Sequence, residues 1–273
     1  MIEPSYNGVV PSPVDVRDYK LAVAMTAAFP EEFTVDILTP VKNQWATPSC
    51  VAHAVSTIVE NHFQSATGNY AEFSTEFIYG YRPFGYYIGD GMCLRDACKT
   101  LAEVGNVYEA DCKGNHNFKE AMVAVEERID ELKAKAYPHR ISKYVRLKNE
   151  SDIMHALMNY GPVLISMNWY DKSKLDKDGI YTYDATSDHG CHAVVIYGWT
   201  SAGWLVQNSW GSLWGKLGRF VLPFEFDINE AWAIIDNIPD NDDDYREPFK
   251  TKLGCLLAKL INWIANSFRR RKN

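Results

Sequence analysis

Three separated segments of this chain carry residue types suited to nucleophilic catalysis. Cys50 closes the run Val41-Lys42-Asn43-Gln44-Trp45-Ala46-Thr47-Pro48-Ser49-Cys50 and opens an apolar, helix-compatible stretch. His192 lies in Asp188-His189-Gly190-Cys191-His192-Ala193-Val194, and Asn208 in Gln207-Asn208-Ser209-Trp210-Gly211. A thiol attacks only after ionisation, and a helix N-terminus, with its partial positive charge, favours the thiolate. A neighbouring imidazole takes the proton and returns it to a leaving amine. A third polar group, for which a carboxamide suffices, fixes the imidazole's tautomer and tilt. The oxyanion of a tetrahedral intermediate needs hydrogen-bond donors, which an amide side chain and a backbone N–H supply. Cys50, His192, Asn208 and Gln44 fit these four roles, and the chemistry calls for no metal and no cofactor.

The surrounding pattern says which elements hold these groups. Residues 50–64 have apolar positions recurring at three and four, as a buried helix requires. Phe73–Tyr81, Leu94–Val104 and the charged stretch Phe118–Lys133 read as further helices, the last with a solvated face. The period then changes. Tyr144–Leu147 reads as a strand, and Ser151–Asn159 as a short helix with Ser151 as its cap. Val163–Met167, His192–Trp199, Trp204–Asn208, Arg219–Leu222 and Ala231–Ile235 are strand-like and rich in β-branched and aromatic residues. The chain divides into an N-terminal arm (1–35), a helical lobe with the nucleophile (36–140), a β-rich lobe with His192 and Asn208 at strand ends (141–238), and an acidic linker with a basic amphipathic helix (239–273). This is an α+β organisation, and the site falls in the cleft between lobes.

The motifs add a resemblance. Val41-Lys42-Asn43-Gln44 followed by Cys50 resembles the nucleophile segment of papain-like cysteine peptidases. The candidate base lies roughly 140 residues downstream, in keeping with the roughly 130–150 of that type. Asn208-Ser209-Trp210-Gly211-Ser212-Leu213-Trp214-Gly215 is similar to the family's Asn-Ser-Trp-Gly-x-x-Trp-Gly signature, and Gly161-Pro162-Val163 and Gly179-Ile180-Tyr181 match the run before its catalytic His. The resemblance covers residues 12–236. It implies a papain-like two-lobed fold with a barrel-like sheet, and an endopeptidase working through a thioester. It chooses His192 over His189 as base through the apolar run Ala193–Tyr197; His53 and His62, on the helix that Cys50 opens, read as packed or solvated helix residues.

The same resemblance implies that Gly89 and Gly91 line the cleft and pair backbone with an extended peptide. It implies that Trp210 shields the Asn208–His192 hydrogen bond, and that Ser166 and Gly190 flank the pocket for the substrate's second residue. With a small Ser166 and no side chain at Gly190, a bulky apolar group is the expected occupant. Ser12–Tyr19 resembles the lead-in of stand-alone bacterial and phage members, and is read as an ordered surface arm in preference to one that tempers activity. The chain departs from the family at Trp45 and Pro48, where Gly is usual, at Val51, where Trp is usual, and at Thr47, where secreted members have a Cys. The rival functions are an isopeptidase or transpeptidase on the same triad and an inactive peptide-binding module.

Composition sets outer limits. A chain of 273 residues has room for one large core or two lobes. A net charge of −7 argues against general nucleic-acid binding, which relies on Lys and Arg. No basic n-region or apolar spanning run is seen, so the expected compartment is cytoplasmic. Of the six cysteines, five remain beside the nucleophile. Cys93, Cys98 and Cys112 read as buried thiols, and Cys191 as a small buried residue rather than a redox partner of Cys50. Residues 250–272 hold seven Lys or Arg and no acid, along a stripe running from Leu253 to Phe268. That segment suits docking on the acidic body, a protein partner, or an anionic membrane surface.

Overall fold

The longest helix among the described residues starts at the thiol. The computed structural model describes residues 6–13, 15, 18, 28–36, 39–84, 89–114 and 118–236. In chain order the elements are β1 (Phe33–Thr34), α1 (Cys50–Thr67), α2 (Thr75–Gly80), α3 (Leu94–Glu103), α4 (Phe118–Glu127), α5 (Ile129–Ala136), β2 (Lys143–Leu147), α6 (Glu150–Tyr160) and β3 (Val163–Tyr170). There follow β4 (Lys174–Leu175), β5 (Tyr181–Thr182), β6 (His189–Thr200), β7 (Gly203–Gln207), β8 (Arg219–Leu222) and β9 (Ile228–Ile235). The main sheet is antiparallel in the order β2-β9-β3-β6-β7-β8, with β1 added beside β6 through Phe33 opposite Trp199. This is the expected α+β, two-lobed arrangement.

Side-chain alternation divides the sheet between two cores. Leu164, Ala193, Val195, Trp232 and Ile234 pack with Val51, Val55 and Ile58 of α1 and the rest of the helical lobe. The intervening Ile165, Val194, Ile196 and Ala233 face a second core with Ile153 and Leu157 of α6, Trp204 and Phe220. Helix α1 therefore lies on the face of the sheet, and every residue from Cys50 to His62 is buried. A helix enclosed all round holds its first turn rigidly, and the first turn carries Cys50.

Several expected boundaries move for local reasons. The charged stretch from Phe118 is two helices, broken at Arg128, whose guanidinium reaches Glu131 at 2.9 Å. The cap of α6 is Asn149, not Ser151, because the Asn149 carboxamide oxygen accepts the Asp152 N–H at 2.8 Å. Phe33–Thr34, assigned to the arm, belongs to the β-rich lobe. His192 sits within the twelve-residue β6, while Asn208 follows the end of β7. Cys93, Cys98 and Cys112 are buried free thiols. The acidic linker beyond 236 and the basic helix, with its docking, partner and membrane readings, lie outside the described residues. Among the described residues no helix is long and apolar enough to cross a membrane.

One buried ion pair ties the segment before Gln44 to α1. The Lys42 ammonium meets the Glu60 carboxylate at 2.7 Å, and that carboxylate also accepts the Phe73 N–H at 2.9 Å. Burial pushes the Glu60 carboxyl up to about 7, against the pull of Lys42. Replacing Lys42 by methionine leaves Glu60, whose side chain is 0% exposed, without its cation. Breaking a buried pair in this way costs about 3–5 kcal/mol. Urea denaturation at pH 8 is expected to show that loss, and a shift under about 1 kcal/mol would contradict it.

Candidate active site

Cys50 is the first residue of α1, and Ser49 precedes it as the N-cap. Its side chain is 0% exposed. Burial pushes the thiol up to about 12, although the backbone amides of Ala193, Val51 and Gly8 pull the other way. The sulfur thus rests against the backbone amide immediately after His192, which brings the α1 and β6 candidates to one place.

The hydrogen bonds of His192 assign its tautomer. The Asn208 Oδ1 accepts the backbone N–H of Ser209 at 2.8 Å, which identifies that atom as oxygen rather than amide nitrogen. The same oxygen lies 2.8 Å from His192 Nε2, so Nε2 must donate and carry the hydrogen. The lone pair is left on Nδ1, which is buried and has no hydrogen-bond partner among the described residues. Burial lowers the imidazole to about 4, partly offset by Asn208. It is neutral in this conformation.

Aromatic rings seal that pair. Trp210 stacks on His192 with centroids 4.8 Å apart and planes 28° apart. Trp169 meets His192 edge-on at 5.7 Å and Trp210 at 4.6 Å, and Trp214 meets Trp210 at 5.1 Å. Trp169 was not singled out from sequence. Its signal was an aromatic on β3 two residues past Met167, which lies opposite His192.

Gln44 is buried between the same two segments. Its backbone N–H donates to Ser209 O at 2.8 Å, its Oε1 accepts the Ser209 hydroxyl at 2.6 Å, and its Nε2 donates to Thr47 O at 2.9 Å. The carboxamide is held beside the start of α1. Asn43 bridges to Trp210, and Gly211 N–H donates to Lys42 O at 2.9 Å. The exposed Trp45 adopts φ +51, with its N–H on Asn43 Oδ1.

The rival imidazoles have other engagements. His53 Nδ1 contacts Ser49 O at 2.9 Å, and His62 Nε2 contacts Tyr160 O at 2.8 Å. His189 is exposed against Tyr170, with centroids 5.0 Å apart. Cys191 is a half-buried free thiol receiving the Asn229 amide at 3.5 Å.

Part of the N-terminal arm is buried, at Gly8, Val9 and Ser12. Gly8 O accepts Met92 N–H at 2.9 Å, Met92 O accepts Val10 N–H at 3.0 Å, and Cys191 O accepts Val9 N–H at 3.3 Å. A Cβ on Gly8 would stand 2.6 Å from Cys50 Sγ and overlap Pro48 O, and one on Gly190 would overlap Asn7. Residues 8–10 of the arm thus run between Met92 and Cys191 and close over the Cys50 sulfur. Asp18 anchors it to Arg95 at 2.6 Å and to Arg146 at 3.6 Å. The expectation of a surface arm is corrected at Ser12, which is buried, while Pro13 is exposed; the close approach just before it is allowed by the missing side chains of Gly8, Gly91 and Gly190. Backbone pairing with the arm falls on Met92. Gly91 flanks it, with its notional Cβ 2.7 Å from Val10, and Gly89 sits at φ +58 in a turn away from it. Ser166 and Gly190 share the wall of a cavity of about 400 Å³ beside the arm.

With this geometry in place, comparisons become informative. The family profile described as "Papain family cysteine protease" matches residues 31–229. A gut-specific cysteine proteinase of Caenorhabditis elegans is 38% identical over 84 residues, 29% of this chain and 26% of that protein. Cathepsin K of Mus musculus is 25% identical over 226 residues, covering 80% of this chain and 61% of the relative. The crystal structure of xylellain, a cysteine protease from Xylella fastidiosa, is similar with a TM-score of 0.75 at 20% identity. That match covers 87% of this chain and 98% of the other, and it speaks for the fold alone. The chain spans from about a fifth to three fifths of the length of these and similar curated relatives.

Proposed function

This chain belongs to the papain family of cysteine proteases, and from that premise we propose that it is a cysteine endopeptidase whose triad is Cys50, His192 and Asn208. The observation that carries the reading is the assigned tautomer. Asn208 occupies Nε2, and the bare Nδ1 is the nitrogen able to take a thiol proton.

The mechanism follows from these placements. Once the arm leaves, water and substrate replace it, and the desolvation that holds Cys50 protonated is relieved. Nδ1 takes the thiol proton, and the imidazolium is stabilised by Asn208 Oδ1. The sulfur attacks the peptide carbonyl, and the C–O π electrons move to oxygen. Gln44 and the Cys50 N–H, the first amide of α1, hold that oxyanion. Nδ1 returns its proton to the departing amine as the C–N bond breaks, leaving a thioester on Cys50. Water, deprotonated by Nδ1, resolves the thioester to a carboxylic acid and the thiol. Trp210 and Trp169 keep water from the Asn208–His192 hydrogen bond. A peptide or protein is the substrate, and the cytoplasm remains the expected compartment.

An epoxysuccinyl inhibitor added to reduced protein is expected to increase its mass by one inhibitor on Cys50 and to add nothing to Cys50→Ala. No adduct on Cys50, in the unaltered chain or in the Gly8→Leu variant considered below, would favour the non-catalytic binding module. Adding amine acceptors to a cleavage assay separates hydrolysis from transfer by the mass of the product.

A further inference from the structure

A buried arginine outside the triad grips the turn that leads into Met92. Arg82 follows α2 and is 2% exposed. Its Nε donates to Tyr79 O at 2.7 Å, and its guanidinium lies 3.7 Å from the centre of the Tyr79 ring. Its Nη1 donates to Asp90 O at 2.6 Å and to Gly91 O at 3.2 Å, with Gly89 O at 3.5 Å. The Tyr79 hydroxyl donates to the same Asp90 O at 2.9 Å. Residues 89–91 belong to no helix or strand. Glycines at 89 and 91 leave such a segment conformationally free, so an outside hold decides its shape.

What the turn delivers is Met92, whose N–H and carbonyl pair with Gly8 and Val10 of the arm. Gly91 O and the Met92 N–H belong to one planar peptide unit. A cation drawing on that oxygen polarises the unit and makes its N–H a stronger donor. The same guanidinium fixes where the unit stands. Val9, opposite Met92 in the pairing, also borders the cavity that Ser166 and Gly190 share. A substrate residue that displaces Val9 meets the same Met92 N–H and carbonyl.

We propose that Arg82 is a positioning residue for substrate binding, which fixes and polarises the Gly91–Met92 peptide unit so that a substrate backbone pairs with Met92. It acts through the turn and takes no part at the reacting atoms. A neutral glutamine cannot stand in for it, because one NH₂ group cannot serve Tyr79 O, Asp90 O and Gly91 O together. This inference rests on the endopeptidase reading.

The test uses the full chain and two biotinylated peptidyl acyloxymethyl ketones. They are identical except that one carries an N-methyl group on the second residue from the reactive group, which removes the N–H that would donate to Met92 O. The second-order rate of Cys50 labelling is measured for each. Competition from the arm is common to both probes and cancels in the ratio of rates. In the unaltered protein the unmethylated probe is expected to react about tenfold faster or more, as a carbonyl left unsatisfied warrants. In Arg82→Gln the ratio should fall to about one through a slower unmethylated rate, since the N–H no longer finds Met92 O in place. Should Arg82→Gln show no cooperative melting, Arg82→Lys, which keeps the charge and loses the fork, is measured in the same way, and its ratio should also fall. A merely structural role would slow both probes alike, leaving the ratio intact, and would overturn the proposal. So would a ratio near one in the unaltered protein, which would mean that pairing with Met92 plays no part. Labelling by neither probe, in the unaltered chain or in Gly8→Leu, would overturn the endopeptidase reading itself and this inference with it.

Discussion

His192→Ala is expected to lower kcat/KM for a peptide substrate by about four orders of magnitude, while Asn208→Ala costs about two. The two differ because, in the proposed mechanism, His192 moves protons at the reacting atoms and Asn208 acts through it. Without Asn208 the ring keeps its position between Trp210 and Trp169 but loses the acceptor that holds hydrogen on Nε2. The lone pair then spends time on the nitrogen facing away from the sulfur, and the imidazolium loses its stabilising oxygen. Progress curves and titration of active Cys50 separate these variants from simple unfolding. Equal losses in both would mean that Asn208 does more than position the ring, and a loss under tenfold in His192→Ala would remove that residue from the triad.

Gly8→Leu is expected to accelerate alkylation of Cys50 by at least about tenfold, because a side chain there overlaps the Pro48 carbonyl and the Cys50 sulfur and the arm must leave. In the unaltered chain the thiol is pushed up to about 12 by burial, far above the assay range. Its rate with iodoacetamide should therefore rise about tenfold per pH unit between pH 6 and pH 9, tracking a small thiolate fraction. With the arm displaced, desolvation is relieved, and the profile should bend to a plateau within that range. Mass mapping identifies the Cys50 adduct separately from the half-buried Cys191. An unchanged rate and slope, with only a lowered melting temperature, would show that the arm does not govern access to the sulfur.

The proposed triad could be named from sequence because each member sits in a local run whose spacing survives without knowledge of the fold. Cys50 opens a helix, and Asn208 precedes a Trp-Gly pair. The three-dimensional convergence needed only that the two lobes meet. Arg82 was not legible. It lies in an aromatic- and glycine-rich run, and what makes it unusual is its burial against the carbonyls of Asp90 and Gly91, to which no spacing rule assigns a cation. Trp169 was missed for a related reason, since an aromatic on a buried strand has many core roles and only its partners distinguish one beside His192. The arm was misplaced because the sequence of residues 6–13 has no strand or helix period. Its extended form comes from pairing with Met92 and Cys191, which no local pattern announces.

The position of β1 bears on how this protein responds to its surroundings. Phe33 and Thr34 are stitched into the sheet beside Trp199 and Gly198, so the chain just before them cannot diffuse away even when its leading part lifts off the sulfur. A displaced leading part remains a competitor at an effective concentration on the order of millimolar, as short tethers give. Dilution would then leave the enzyme as quiet as before. Substrates with weak grip would lose to the tethered rival at any protein concentration, so waking the enzyme calls for a substrate, or a binder of the freed strand, able to outbid an occupant that never departs.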